Sequence, residues 1–274
     1  MKVKKVALIV NPDKRRAVNY ANKIISWLSE HDIESLTPDS EKECFPQLKN
    51  NIKQADVVVT IGGDGTVLRG VRLFAQKTVP FLTINFGRVG FLTEVKPENF
   101  EEAFIQLKMD QYYLEKKRLL KCKVSDSKNI YFALNDISVA RRKGNRTLNL
   151  DVYISGYFLY SYSCDGIVVA SNTGSTAYSL SLGGPVLTPN VNAKVVVPVN
   201  PHTLFNKSIV VAENEPVKIV PRDSKDVAVL ADGLAADEEE VRSVEITISN
   251  TYANIIRFDK GDFIENLKER LFKL

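Results

Sequence analysis

Apolar residues over the first hundred positions come in short unbroken runs, each followed by a stretch where they recur every three or four residues. Residues 6–10 form the first run, which stops at the turn signal Asn11-Pro12. Ala17, Ala21, Ile24, Ile25 and Leu28 then fall at helical spacing. Residues 55–61 repeat the theme, and Val67, Leu68, Val71, Phe74 and Ala75 share one helical face after them. Residues 79–86, followed by Phe100, Ala103, Phe104 and Leu107, make a third strand–helix pair. Runs that are apolar at every position suit strands covered on both faces, and their alternation with helices predicts a parallel sheet with right-handed crossovers.

The pattern changes after about residue 110. Leu148, Leu150, Val152 and Ile154 alternate with polar or mixed residues, as in a half-buried strand, and Ser155-Gly156 reads as a tight hairpin turn into 157–163. Short strand-like runs continue at 167–170, 195–199, 209–211, 217–220, 227–230, 244–248 and 254–258. Helical spacing returns only in the tail, at Phe263, Leu267 and Leu271. The expected architecture is an α/β N-terminal domain with a parallel sheet (1–99), then a C-terminal all-β, sandwich-like domain (100–253). A tail helix (254–274) is expected to pack back on the first domain.

Composition narrows the function. Lys+Arg 37 against Asp+Glu 33 leaves a net charge of +4, too mild to argue for nucleic acid yet not repulsive to an anionic ligand. The apolar run at 6–10 is too short for a secretion signal and no stretch is long enough to span a bilayer, so no membrane partner is expected. Cys44, Cys122 and Cys164 are odd in number and scattered, which fits a reduced cytoplasm better than a disulfide framework. His31 and His202 are too far apart in sequence to suggest zinc, and no metal-ligand set is expected.

The candidate chemistry begins at residues 61–70, IGGDGTVLRG. Gly65 and Gly70 have P-loop spacing, but Val71 stands where the phosphate-binding lysine belongs. Gly63 and Gly65 begin a dinucleotide fingerprint, but Leu68 stands at its third glycine. The physics of the loop outlasts both failures. Glycines allow left-handed φ and let the backbone approach a ligand, and a helix beginning near Thr66 adds partial positive charge. A phosphate fits there, at the carboxyl end of a parallel strand. Asp64 then has three possible roles: accepting a proton from an attacking hydroxyl, helping to hold Mg²⁺, or simply capping the helix.

A second dense region runs from Cys164 to Pro189, with an Asp-Gly at Asp165, a cluster of hydroxyls and Gly183-Gly184-Pro185. Such groups hydrogen-bond sugars and amides. Asn135-Asp136 interrupts the apolar run YFALNDISVA, where it either caps a bend or reads a ligand.

GGDGT at 62–66, NFGRVGFLTE at 85–94, LNDISV at 134–139, DGIVVASNTGSTAYSLSLGGP at 165–185 and PHTLFNKSIVV at 201–211 occur in that order. The series closely resembles the NAD kinase family, over most of the chain. The resemblance implies Mg²⁺-dependent transfer of the ATP γ-phosphoryl group to the 2′-hydroxyl of the adenosine ribose of NAD, with inorganic polyphosphate a second donor in some members. It implies Asp64 as the base at that hydroxyl, and Gly62, Gly63, Gly65 and Thr66 as the cradle for donor phosphates. Phe91 would lie against adenine, Asn135 and Asp136 would bind ribose hydroxyls, and Asp165 would bind the nicotinamide half. Thr173, Thr176, Ala177, Tyr178 and Ser181 would line the dinucleotide pocket. A homodimer or homotetramer is implied as well. The chain departs from the family pattern at Val89, where Leu is frequent, and at Asp136, where Glu is usual. It departs again at Lys207-Ser208, where Arg-Pro is common, and at Leu234, where Gln is usual. Two other readings compete: a lipid or sugar kinase with the same loop, and a non-catalytic dinucleotide-binding regulator.

Overall fold

A computed structural model describes residues 2–36, 54–74, 77–87, 90–142, 147–223, 225–236, 240–259 and 263–271. Cys44, Ala75 and Val89 lie outside the described residues, as does the side chain of Leu271. The chain forms two compact units, Met1–Lys117 with Tyr252–Leu274, and Arg118–Thr251.

The first unit contains β1 (Lys5–Val10), α1 (Arg15–Glu30), β2 (Glu34–Leu36), β3 (Val57–Gly62), α2 (Asp64–Phe74), β4 (Pro80–Asn85) and α3 (Phe100–Lys108). Its strands are parallel in the order β2-β1-β3-β4. Every position of β3 is buried because the sheet is covered twice. Ala17, Ala21, Ile24 and Leu28 of α1 and Phe100, Ala103, Phe104 and Leu107 of α3 pack against Leu8, Val57, Val59, Leu82 and Ile84. Phe74 of α2 meets Phe81 edge to face at 5.9 Å, among the residues of opposite parity. The strand order reverses between β1 and β3, so the loops leaving their carboxyl ends diverge there, the usual ligand crevice of an open parallel sheet. The Asn11 N–H donates to the Ile61 carbonyl at 3.0 Å and ties the two loops at their roots.

Two strands cross from one unit to the other: β5 (Tyr113–Val124) and, after the second unit's own elements, β16 (Val244–Arg257). The second unit adds β6 (Ile130–Ala133), β7 (Asp136–Arg141), β8 (Leu148–Ile154), β9 (Tyr157–Cys164), β10 (Gly166–Ala170) and the helical turn α4 (Tyr178–Ser181). It continues with β11 (Ala193–Val199), β12 (Ile209–Ala212), β13 (Val217–Pro221), β14 (Val227–Ala231) and β15 (Leu234–Ala235). One antiparallel layer runs β16-β13-β8-β9, with β5 paired to β6; the other runs β12-β11-β10-β7-β14-β15. Their inner faces share one core, Leu150, Val152, Tyr162, Ile219 and Ile246 from the first against Ile137, Val139, Val169 and Val229 from the second. This is the sandwich packing that the alternating pattern predicts. The outer face of β10 is buried too, because Leu182 and Leu187 fold over it. Ser155 and Gly156 both take positive φ, 50° and 84°, as a two-residue hairpin turn demands.

The structure differs from expectation at several elements. Runs 244–248 and 254–258 are one strand, β16, whose partner changes from β13 to β4 along its length. β5 has no counterpart in the sequence pattern, and the run YFALNDISVA divides into β6 and β7. Residues 254–257, expected within the tail helix, belong to β16, and the last helix, α5, runs Phe263–Leu271 in the first unit. Among the described residues no helix is long and apolar enough to cross a membrane.

Candidate active site

A cavity of about 340 Å³ opens at the crevice between the β1 and β3 loops. Asn11, Asp13 and Lys14 line it from the first loop, and Gly63, Gly65, Thr66 and Arg69 from the second. The Asp13 N–H donates to the Asn11 side chain at 3.0 Å, which sets the turn. Lys14 reaches across to the Phe86 carbonyl at 3.0 Å and also borders an adjoining cavity of about 580 Å³, with Arg15 and Arg16. Two cations and the opening N–H groups of α2, which precede its first backbone hydrogen bonds, make the smaller cavity a place for phosphate.

The glycines act here by size. Neither Gly62, Gly63 nor Gly65 takes a left-handed φ, contrary to the expectation for the loop. A Cβ on Gly62 would lie 2.0 Å from Thr66 Oγ1 and 3.2 Å from Asn11 Cβ, so no larger residue fits beneath the loops. The space beside Gly63 and Gly65 is open, which bares their backbone. α2 begins at Asp64, two residues before the expected start, with the Thr66 N–H turning back to the Gly63 carbonyl at 2.9 Å.

Asp64 does not cap its own helix. Its carboxylate lies against the 90–93 turn, accepting the Phe91 N–H at 3.0 Å and the Leu92 N–H at 3.2 Å on separate oxygens. Thr93 Oγ1 stands 3.5 Å away, and a Cβ on Gly90 would be 2.0 Å from Oδ1. Arg270 of α5 places Nη1 3.5 Å from Oδ2, and the Asp64 side chain keeps 22% exposure. The Phe91 ring carries that same guanidinium at 4.8 Å and the Phe263 ring at 5.6 Å. Asp64 is therefore a fixed carboxylate, and its loop neighbours Gly63, Gly65 and Thr66 line the cavity.

In the second unit, Asn135 and Asp136 sit at the β6–β7 junction. The carboxylate of Asp232 accepts the N–H groups of Leu134, Asn135 and Asp136 at 2.8, 2.7 and 3.2 Å and fixes the bend. The buried Asp136 carboxylate accepts the Ser138 hydroxyl at 3.2 Å. Its pKa is pushed up to about 6 by burial, with the negative charge of Asp232 adding to the effect. Ser171 joins this bend to the hydroxyl-rich stretch: its N–H donates to the Asn135 carbonyl at 2.8 Å, and its hydroxyl accepts the Gly174 N–H at 3.1 Å. Gly174 packs so tightly on Asn135 that a Cβ there would be 2.0 Å from its carbonyl oxygen. The 3-10 turn Thr173–Thr176 follows, then Ala177, then α4, leaving Tyr178 and Ser181 exposed. Asn135, Asp136, Thr173, Thr176, Ala177, Tyr178 and Ser181 thus belong to one continuous region.

Asp165 does not join them. It stands at the opposite end of β10, roughly 17 Å of strand away, paired to Arg141 at 3.2 Å and accepting Asn200 Nδ2 at 3.2 Å. Lys207 and Ser208 lie in the loop before β12, and Leu234 is exposed in β15. Sequence reasoning passed over Asn11, Lys14, Arg69 and Asp232. The only signals were a basic run after the first turn and an Asp-Gly pair at Asp232.

The chain matches family models for the ATP-NAD kinase N-terminal domain over residues 46–112 and the ATP-NAD kinase C-terminal domain over 134–258. It is 35% identical to an NAD kinase of Caldicellulosiruptor bescii, covering 97% of this chain and 98% of the relative. It is 34% identical to one of Methanothermobacter thermautotrophicus, covering 98% and 96%. Among solved structures, an NAD kinase from Archaeoglobus fulgidus in complex with ATP superposes with a TM-score of 0.79 at 26% identity, over 97% of this chain and 99% of that one. Yeast NADH kinase complexed with NADH shares the fold with a TM-score of 0.86 at 24% identity, over 99% and 88%. Two matched domain models and relatives this similar over nearly their whole length show that the chain belongs to the NAD kinase family.

Proposed function

We propose that the protein transfers the γ-phosphoryl group of ATP to the 2′-hydroxyl of the adenosine ribose of NAD, producing NADP. The observation that carries this reading is the loop at the end of β3. Its backbone lines a cavity with Lys14 and Arg69, and its one carboxylate is fixed by two N–H donors. Phosphoryl transfer asks mainly for positioning and charge neutralisation, and the loop offers both.

In this reading Gly62, Gly63, Gly65 and Thr66, joined by Lys14 and Arg69, hold the donor phosphates. The 2′-oxygen attacks the γ-phosphorus, the bond from that phosphorus to the β–γ bridging oxygen breaks, and its electron pair leaves with ADP. Asp64 receives the hydroxyl proton. Phe91 offers a ring face to adenine. Asn135 and Asp136 take ribose hydroxyls, and Thr173, Thr176, Ala177, Tyr178 and Ser181 line the dinucleotide pocket. Asp165 is assigned to the nicotinamide half by resemblance alone.

No group of three or more His, Cys, Asp or Glu side chains suited to a metal occurs among the described residues. Mg²⁺ keeps most of its waters and binds chiefly through phosphates, and Asp13 lines the cavity in which it would meet them. Bound there with ATP, the ion would neutralise phosphate charge. A cytoplasmic homodimer or homotetramer completes the reading, and light scattering of the purified protein checks its assembly.

The test is NADP formation, read with an NADP-specific dehydrogenase, from NAD and Mg²⁺ with either ATP or inorganic polyphosphate. NADP is expected with ATP, and the polyphosphate arm decides the second donor. Folded protein that makes no NADP with either donor would reject the reading.

A further inference from the structure

Arg257 closes β16, and its side chain is only 11% exposed. A buried guanidinium needs partners for its charge and its five N–H groups. Nε donates to Glu115 Oε2 at 2.9 Å, Nη1 to Glu94 Oε2 at 3.2 Å, and Nη2 to the Phe91 carbonyl at 2.9 Å. The two carboxylates are themselves anchored. Glu94 Oε1 accepts the Phe258 N–H at 3.0 Å, and Glu115 is paired with Lys117 at 2.6 Å. Burial alone would raise the Glu115 carboxyl, but the Lys117 and Arg257 charges hold it below its usual range.

The Phe91 carbonyl and the Leu92 N–H are opposite ends of a single planar peptide group, and in a trans peptide they point in opposite directions. One end is bonded to Arg257 and the other to Asp64 Oδ1. Turning that plane off the guanidinium swings the Leu92 N–H off the carboxylate. The next carbonyl, Leu92, accepts the Thr83 hydroxyl at 3.1 Å and Arg257 Nη1 at 3.5 Å, so the guanidinium holds two successive carbonyls of the turn. We infer that Arg257 is a positioning residue for phosphoryl transfer, aiming Asp64 through the Phe91–Leu92 peptide. The inference rests on the reading of Asp64 as the group that receives the acceptor's proton.

Arg257→Lys keeps the charge and loses the planar fork that reaches a carboxylate and a carbonyl together. A catalytic group misplaced by an ångström loses about 10²-fold, so kcat is expected to fall between about tenfold and a hundredfold. KM for ATP should stay within about twofold, because the donor cavity does not include this peptide. Thermal melting should confirm a folded protein. The decisive comparison is a cycle with Asp64→Asn. If Arg257 acts through Asp64, the double variant is no slower than Asp64→Asn alone. Losses that multiply would mark a separate structural defect and overturn the inference, as would Arg257→Lys with normal turnover. Should Asp64→Asn itself turn over normally, the reading of Asp64 fails instead, whatever the arginine variant does. If Arg257→Lys does not fold, Glu115→Gln leaves the arginine in place with a weaker anchor and enters the same cycle with the same outcomes.

Discussion

At the residue scale, Asp136 is buried beside a second carboxylate, so its charged form is costly in the folded protein. An aspartate in the unfolded chain titrates near about 3.9, whereas the folded-state value is about 6. Below about pH 4 both states hold the proton and the contribution is fully present; as pH rises through 6 the buried site must ionise and about 3 kcal/mol is lost. Asp136→Asn cannot ionise, so it should gain on the parent by up to that amount between pH 4 and 7. Urea denaturation across the range measures it, and a difference independent of pH would contradict the placement of this carboxylate. Asp64 drew notice in the sequence as a lone carboxylate between glycines at the end of a strand. Its partners did not. Phe91 and Leu92 hold it with backbone N–H groups, which every residue but proline carries, and no motif or spacing singles out Arg257 or Arg270. Asp165 is near the hydroxyl cluster in sequence yet stands at the far end of β10, a separation that only the folded strand reveals.

At the scale of elements, periodicity located the buried strands and the amphipathic helices of the first unit to within a residue or two. It failed where long polar side chains pack. β5 reads YLEKKRLLKCKV, and its charges pair with other elements, Glu115 with Arg257 among them. β16 looked broken at 249–253 because polar residues interrupt it, yet Ser249 and Asn254 are buried and its ladder resumes on a new partner. Strand continuity there is set by pairing with residues far away in the chain, which one sequence does not reveal. α5 offers a test of how the tail contributes. Arg270→Ala removes a part-exposed ion pair at 3.5 Å, which is worth at most about 1 kcal/mol. Ending the chain after Asp259 also removes the Phe263 ring from Phe91, and aromatic burial with ring contact adds a further 2–4 kcal/mol or so. Thermal melting of the two variants should show the larger fall in the truncated chain; equal falls would deny the ring contact its weight.

At the scale of the whole molecule, the fold class was readable in advance because each unit obeys one simple pattern. Continuous apolar runs between helices gave a parallel sheet covered on both faces, and alternating runs gave two antiparallel layers around a shared core. The position of the phosphate cavity follows from the strand order β2-β1-β3-β4, whose reversal opens a crevice at the carboxyl ends of β1 and β3. That order is a property of the assembled sheet, which is why Lys14 and Arg69 became visible only with the fold. In the proposed reaction Asp64, held by the Phe91 and Leu92 N–H groups, is the carboxylate that receives the proton. Turnover and NAD affinity of Asp64→Asn, measured side by side on folded protein, test this most directly. Loss of general-base assistance costs about 10²- to 10⁴-fold, so NADP formation should collapse by that factor while NAD binding by titration calorimetry stays near that of the parent. Near-normal turnover in the variant would contradict the assignment of Asp64, and with it the mechanism built on that loop.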